Sequence, residues 1–247
     1  CNPSLGRRNR CCGNSALYKL ARISVMTAPH AKPFLGLPNA TILLASASLA
    51  RQNILRSAGI DFKTLSVTID EAQVRAGALA DDMMPEDIAV LLAFLKAQAA
   101  SQRFANVPLT APSTYVIGAD QVLVCEGHII NKPATIAVAK EQLLWLAGKP
   151  HKLFSGIVLL RDGQRIWHYT AKSALSMHQF DAVFADSYIQ HVGDAALLSP
   201  GAYQIESVGT SLFSKIDGNY FDILGLPLLP LLGILREHGL SPVERFA

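Results

Sequence analysis

From residue 41 onward, apolar positions recur as short continuous runs that alternate with helical periods. The run 41–45 (TILLA) predicts a buried strand, and 49–58 predicts a helix with Ser48 as N-cap and Gly59 as its stop. Residues 62–69 read as extended. The stretch 85–101 predicts a strong helix, with Pro85 in the first turn and apolar positions at Ile88, Leu91, Leu92 and Leu95. Strands are expected at 115–118 and 122–124, followed by a turn at Glu126-Gly127, a short strand at 128–130 and a helix at 136–146. A long hairpin comes next, 151–160 against 164–178, closed by Asp162-Gly163, a pair suited to a two-residue turn. A helix at 181–191, an extended stretch at 203–216 and a closing helix at 228–238 complete the pattern. Strands and helices interleave without a strict strand–helix–strand period. That predicts an α/β fold: a mixed, twisted sheet with two lobes, a central cleft and no internal repeat.

Composition narrows the class. Half of the 247 residues are hydrophobic and 17% are charged, enough for a sizeable core and too apolar for wholesale disorder. The most apolar stretch, 223–235, is broken by Gly225, Pro227, Pro230 and Gly233, so no membrane span and no membrane partner are expected. The formal charge of +3 hides an asymmetry. The first 60 residues carry eight basic residues and no acidic one, whereas the rest carries 14 basic against 19 acidic. A mildly acidic body argues against a nucleic-acid polymer as partner, and an anionic ligand must then be held by local cations and backbone N–H groups. Residues 1–25 hold three of the four cysteines and begin with Cys. They read as a targeting segment or a non-native stretch before a start at Met26, and residues 1–39 as a disordered extension to a domain spanning 40–247. Cys125 stands alone, so neither a disulfide framework nor a cysteine metal site is indicated, and a cytoplasmic location fits.

Familiar phosphate cradles are missing. No G-x-x-x-x-G-K-[ST] or strand-linked G-x-G-x-x-G occurs, no G-x-S-x-G is present, and the seven histidines lack metal-ligand spacing. Three segments remain. In Leu44-Ala-Ser46-Ala-Ser48-Leu-Ala-Arg51, a buried strand runs through two serines into a helix, whose N-terminal N–H groups and Arg51 are placed to meet an anion; capping by Ser48 is the simpler reading. In Gly118-Ala-Asp120-Gln121, a carboxylate sits at the mouth of an apolar strand, where it needs a cation such as Lys132 or a metal ion. Asp70-Glu71 adds carboxylates at the end of the preceding extended stretch. Carboxylates with lysine and arginine form a plausible divalent-metal and polyphosphate site, a turn aspartate and surface ion pair being the plainer alternative. The third segment joins Gly201-Ala-Tyr203-Gln-Ile-Glu206 to the glycine-punctuated stretch from Lys215 to Pro227, where the glycines mark tight turns or close packing.

Taken in order, these segments resemble the Maf family of nucleoside triphosphate pyrophosphatases. The family's L-A-S-x-S-P-R-R-x-x-L-L stands here as LASASLARQNIL (44–55), its lysine-alanine as Lys96-Ala97 and its G-A-D-[TQ] as 118–121. Lys132-Pro133 and the G-L-P-L at 225–228 follow. The resemblance implies a Maf and inosine-triphosphatase type of fold and Mg²⁺- or Mn²⁺-dependent attack of water on a nucleoside triphosphate between the α- and β-phosphates. It implies Asp120 and Glu71 as catalytic and metal-binding carboxylates, and Ser46, Ser48, Arg51, Lys96 and Lys132 as phosphate-binding residues. Leu49 and Ala50 replace the family's proline and first arginine, so one guanidinium is missing. Ala50, Gln121 and Glu206 are the positions expected to bear on specificity. Gln121 and Glu206 match the 7-methyl-GTP branch, where a carboxylate suits a guanine edge or a cationic base. A dTTP/UTP enzyme, a nucleotide-binding cell-division regulator with little turnover and a nucleotide-independent scaffold are the competing readings, and oligomeric state is left open between monomer and homodimer.

Overall fold

A computed structural model describes residues 40–104 and 113–240. The expected extension at 1–39 lies outside the described residues. Among those described, the strands β1 (Ala40–Ala45), β2 (Lys63–Thr64), β3 (Ser113–Cys125), β4 (His128–Ile130), β5 (Pro150–Arg161), β6 (Gln164–Met177) and β7 (Phe213–Asp217) form one mixed sheet. Its order is β2-β1-β3-β5-β6-β7, with β4 also paired to β3. β1 runs parallel to β2 and β3, and every other pairing is antiparallel. The helices are α1 (Leu49–Ser57), α2 (Glu71–Ala80), α3 (Pro85–Phe104), α4 (Ile136–Leu146), α5 (Ala182–Val192), α6 (Tyr220–Ile223) and α7 (Leu228–Glu237). None is long and apolar enough to cross a membrane.

Alternation along β3 sorts its side chains onto two faces. Tyr115, Ile117 and Ala119 pack with α1 and α7, while Leu123 and Cys125 on the same face pack with α4 and α5. The two apolar lobes are separated by Gln121 and its register partner Ser155. On the opposite face, Val116 and Val122 meet α3. That helix buries a stripe of Ala89, Ala93, Ala97 and Ala100 together with Ile88 and Leu92, leaving Leu91 and Leu95 only half-buried. Small residues face the sheet because Gly118 and Gly156 bring the backbones together: a Cβ on Gly118 would lie 2.8 Å from the Ala97 Cβ, and one on Gly156 2.5 Å from the Ala89 carbonyl carbon.

Several expectations are corrected. Residues 115–118 and 122–124 belong to one strand, since Ala119–Gln121 stay paired with β5. Only Lys63–Thr64 of the extended 62–69 stretch pairs with β1, at an exposed sheet edge. Asp70-Glu71 opens a helix that the periodicity missed. Only Ala78 of α2 is buried, so the segment has no apolar stripe; Asp70 caps it, accepting from Gln73 N at 2.9 Å. Within 203–216 only the end is strand, because a turn at 205–207 and a tight helical turn at Val208–Leu212 occupy the earlier part. The Asp162-Gly163 turn forms with positive φ at both residues, as a two-residue hairpin requires.

Candidate active site

β3 is paired along one side by β5 for ten residues, but its other side is shared between two short strands. β1 pairs with it as far as Gly118, and β4 begins at Leu123. Ala119–Val122 are thus without a strand on that side. β1 runs on from Ala45 into Ser46–Ser48, and β4 runs on from Ile130 into Asn131-Lys132. The phosphate-loop candidate and the Asn-Lys-Pro segment therefore flank the interruption at which Asp120 sits, a placement set by strand length and register.

Asp120 is 6% exposed. A carboxylate so buried needs a cation, and its partner is Lys96 rather than Lys132: Lys96 Nζ donates to Asp120 Oδ1 and to Glu71 Oε1, each at 2.7 Å. Lys96 stands three residues beyond Ala93 on α3, whose close seat on Gly118 carries the ammonium to the strand. Glu71, at the start of α2, completes the pair of carboxylates. Arg75 Nη2 donates to Glu71 Oε2 at 2.6 Å and lies 3.9 Å from Asp120 Oδ2, while Nη1 donates to Asn131 Oδ1 at 2.8 Å. Burial works to raise the Glu71 pKa, but the Lys96 hydrogen bond and the charges of Lys96, Arg75 and Lys132 outweigh it and hold the carboxyl below its ordinary value. The Lys132 pKa is lowered by desolvation and by Arg51 and Lys96, against the pull of Glu71 and Asp120.

Asp120 Oδ2 is buried and has no hydrogen-bond partner. Such an oxygen fits a divalent cation shared with Glu71. No group of three or more His, Cys, Asp or Glu residues suited to a metal occurs among the described residues. Magnesium is commonly held by one or two carboxylates with phosphate oxygens and water, so these two suffice.

Arg51 has a different place from the one expected. Its guanidinium is buried, with Nε donating to Gly225 O at 2.8 Å and Nη1 to Ala119 O at 2.9 Å and Ser46 Oγ at 3.1 Å. It fills the gap beside β3 and ties β1, β3 and the segment after α6 together. Gly225 has φ +88°, and a Cβ there would press on Arg51 Nη2 at 3.1 Å, which explains glycine at that position. Ser46 is buried and also accepts from Ser48 N, and Ser48 caps α1 by accepting from Arg51 N. The N–H groups of Leu49 and Ala50, in the first turn of α1, have no acceptor within that helix.

The specificity candidates separate. Gln121 points to the opposite face from Asp120, and its Nε2 donates to Ser155 Oγ at 2.8 Å and Ile223 O at 2.9 Å. Ser155 Oγ donates in turn to Asp222 O. Gln121 thus anchors α6 in the seam between the lobes. Ala50 is half-buried on α1, and Glu206 is exposed in a turn where no ion pair joins it to the cluster. Arg75 was not among the sequence candidates; its only signal was the Glu71-to-Arg75 spacing of four, which pairs side chains once α2 is recognised as a helix.

The family model described as Maf-like protein matches residues 41–238. A nucleoside triphosphate pyrophosphatase of Caulobacter vibrioides is 44% identical over 198 residues, 80% of this chain and 96% of that protein. A 7-methyl-GTP pyrophosphatase of Brucella abortus biovar 1 is 45% identical over 196 residues, 79% and 95% of the two chains. A nucleoside triphosphate pyrophosphatase of Paramagnetospirillum magneticum is 43% identical over 197 residues, covering 80% and 98%.

Proposed function

This chain belongs to the Maf family, and from that premise we propose that it hydrolyses nucleoside triphosphates to nucleoside monophosphate and pyrophosphate. The observation that carries the reading is the group of two carboxylates and four cations, Glu71 and Asp120 with Arg51, Arg75, Lys96 and Lys132, at the interruption beside β3. The excess of positive charge calls for a polyanion, while the orphaned Asp120 oxygen calls for a cation or a water. A metal-bound triphosphate supplies both.

In this reading Glu71 and Asp120 would hold the divalent ion, which would supply neutralisation of phosphate charge and polarisation of the phosphorus under attack. Asp120 also orients a water and accepts its proton. The water oxygen forms a bond to the α-phosphorus, the bond from that phosphorus to the α–β bridging oxygen breaks, and the electron pair leaves with pyrophosphate. In the same reading Lys96 and Lys132 are the cations that offset the charge of the leaving group. Leu49 and Ala50 N–H groups and the Ser46 hydroxyl offer neutral donors to phosphate oxygens. Arg51 acts from behind, holding Ser46 and the Ala119 carbonyl in place. A cytoplasmic setting is part of the proposal and accords with the free buried thiol of Cys125.

For the base, we favour 7-methyl-GTP or a related modified purine triphosphate. The name of the Brucella relative supports this, as does a carboxylate at Glu206, which suits a guanine edge or a cationic methylated base better than the carbonyls of uracil and thymine. The deciding experiment incubates the protein and Mg²⁺ with standard and methylated nucleoside triphosphates and follows pyrophosphate. Stoichiometric pyrophosphate and monophosphate, abolished by EDTA, are expected. Release of single phosphates would overturn the reaction class, and a kcat/KM for dTTP or UTP equal to that for 7-methyl-GTP would overturn the specificity.

A further inference from the structure

Arg75 belongs to none of the motifs in the chain, yet its guanidinium touches both walls of the site. Both oxygens of Glu71 are taken by cations, Oε1 by Lys96 and Oε2 by Arg75, and Asp120 Oδ2 faces Arg75 at 3.9 Å with no partner of its own. The two oxygens nearest Arg75 are thus the pair that a divalent ion would take from these carboxylates. A metal ion and a guanidinium beside the same two oxygens repel strongly in a half-buried site, so they compete for it.

Resting on the pyrophosphatase reading, we propose that Arg75 is a stand-in for the metal: it neutralises Glu71 and faces Asp120 while the site is empty, and is released onto the substrate phosphates when the ion binds. Three observations support a destination in the cleft. Nη1 is tied to Asn131, the neighbour of Lys132, so a guanidinium displaced from Glu71 stays at the mouth of the site. Arg51 is tied through Nε and Nη1 to Gly225, Ala119 and Ser46, which leaves only Nη2 for a phosphate, and Ala50 offers no charge, so Arg75 supplies a guanidinium that can change partners. The charge also fits: four cations against two carboxylates leave an excess of two positive charges, and a divalent ion raises it to four, matching the roughly four negative charges of a triphosphate.

The test measures binding without turnover. Wild type, Arg75→Met and Arg75→Lys are titrated with Mn²⁺ alone, and with pyrophosphate at saturating Mg²⁺, by calorimetry. Removing a competing cation should tighten Mn²⁺ binding to Arg75→Met by at least about tenfold. Loss of a charge-assisted contact should weaken pyrophosphate binding by about 10- to 100-fold. Arg75→Lys should keep Mn²⁺ affinity near wild type. Asn131→Ala, which frees the anchor without removing charge, should weaken pyrophosphate while leaving Mn²⁺ unchanged, and it carries the test if Arg75→Met does not fold. Affinities for both ligands that fall together, or that do not move, would make Arg75 a structural tie and overturn the inference. Wild-type release of pyrophosphate is scored separately, so a failed activity and a failed role for Arg75 are told apart.

Discussion

Asp120 and His151 are both buried titratable groups, and their surroundings give them opposite uses. Asp120 is paired with Lys96 through one oxygen and has the other to spare, the arrangement of a group that handles a proton or a metal. Asp120→Asn preserves the shape, so the fold should persist while turnover falls by roughly 10²–10⁴-fold; circular dichroism and pyrophosphate release check the two halves. His151 is packed among Tyr203 and Phe213 with Nε2 3.0 Å from the Tyr203 hydroxyl, and among the described residues no carboxylate forms an ion pair with it. Burial lowers its pKa to about 4, so the folded protein keeps the ring neutral where an unfolded chain already binds a proton. The stability this gives is complete above the unfolded value near pH 6.5 and drains away as pH falls toward 4, a loss of about 3 kcal/mol. Urea melts at pH 7 and pH 4.5 should show about 2 kcal/mol of that loss, and His151→Gln should flatten it.

At the scale of elements, α3 is the part on which the site depends. Its alanine stripe lies so close to β3 that Lys96, one turn along, reaches a carboxylate inside the sheet. Gly118→Ala would set a methyl against the Ala93 carbonyl and the Ala97 side chain. Overpacking of this kind costs about 1–3 kcal/mol, and the helix must move outward with Lys96 on it. Activity should therefore fall further than the drop in melting temperature alone explains, which paired thermal melts and kcat measurements will show. α6 is held through Gln121, and Gln121→Thr would withdraw the donor to Ile223 O, since the shorter side chain cannot span the seam. The expected result is a lower melting temperature, because a buried carbonyl loses its donor at a cost of about 1–3 kcal/mol, and thermal melts of the two proteins check it.

For the whole molecule, net charge is a poor guide to the ligand. The chain after residue 60 is formally negative, yet the site gathers more cations than carboxylates. Attraction of a triphosphate is then local, over a distance comparable to the screening length of about 8 Å at physiological salt. Raising ionic strength from 0.05 to 0.5 M (roughly a threefold fall in screening length) should raise KM several-fold and leave kcat nearly constant. A kcat that falls as steeply as KM rises would place the salt effect in the chemical step instead of in capture.

Local pattern was enough for the elements whose stability is local. The helix at 85–101, the hairpin on Asp162-Gly163 and the Ser48 cap appear close to where periodicity and turn chemistry put them, because each depends on residues within a few positions of itself. Motif order was likewise enough to bring Ser46, Glu71, Lys96, Asp120 and Lys132 under one heading. What the sequence did not contain was the pairing among them. That Asp120 takes Lys96 as partner follows from the approach of α3 to Gly118 and Gly156, which lie 21 to 67 positions from the alanines they meet. That Arg51 becomes an internal tie follows from the gap between β1 and β4, which exists only once both strands are in register on β3. That α2 is a helix, and hence that Arg75 enters the site, rests on a cap and ion pairs in place of an apolar stripe, so hydrophobic periodicity carried no trace of it. Contacts between elements distant in sequence are set by packing and register, and these become determinate only when the whole sheet is assembled.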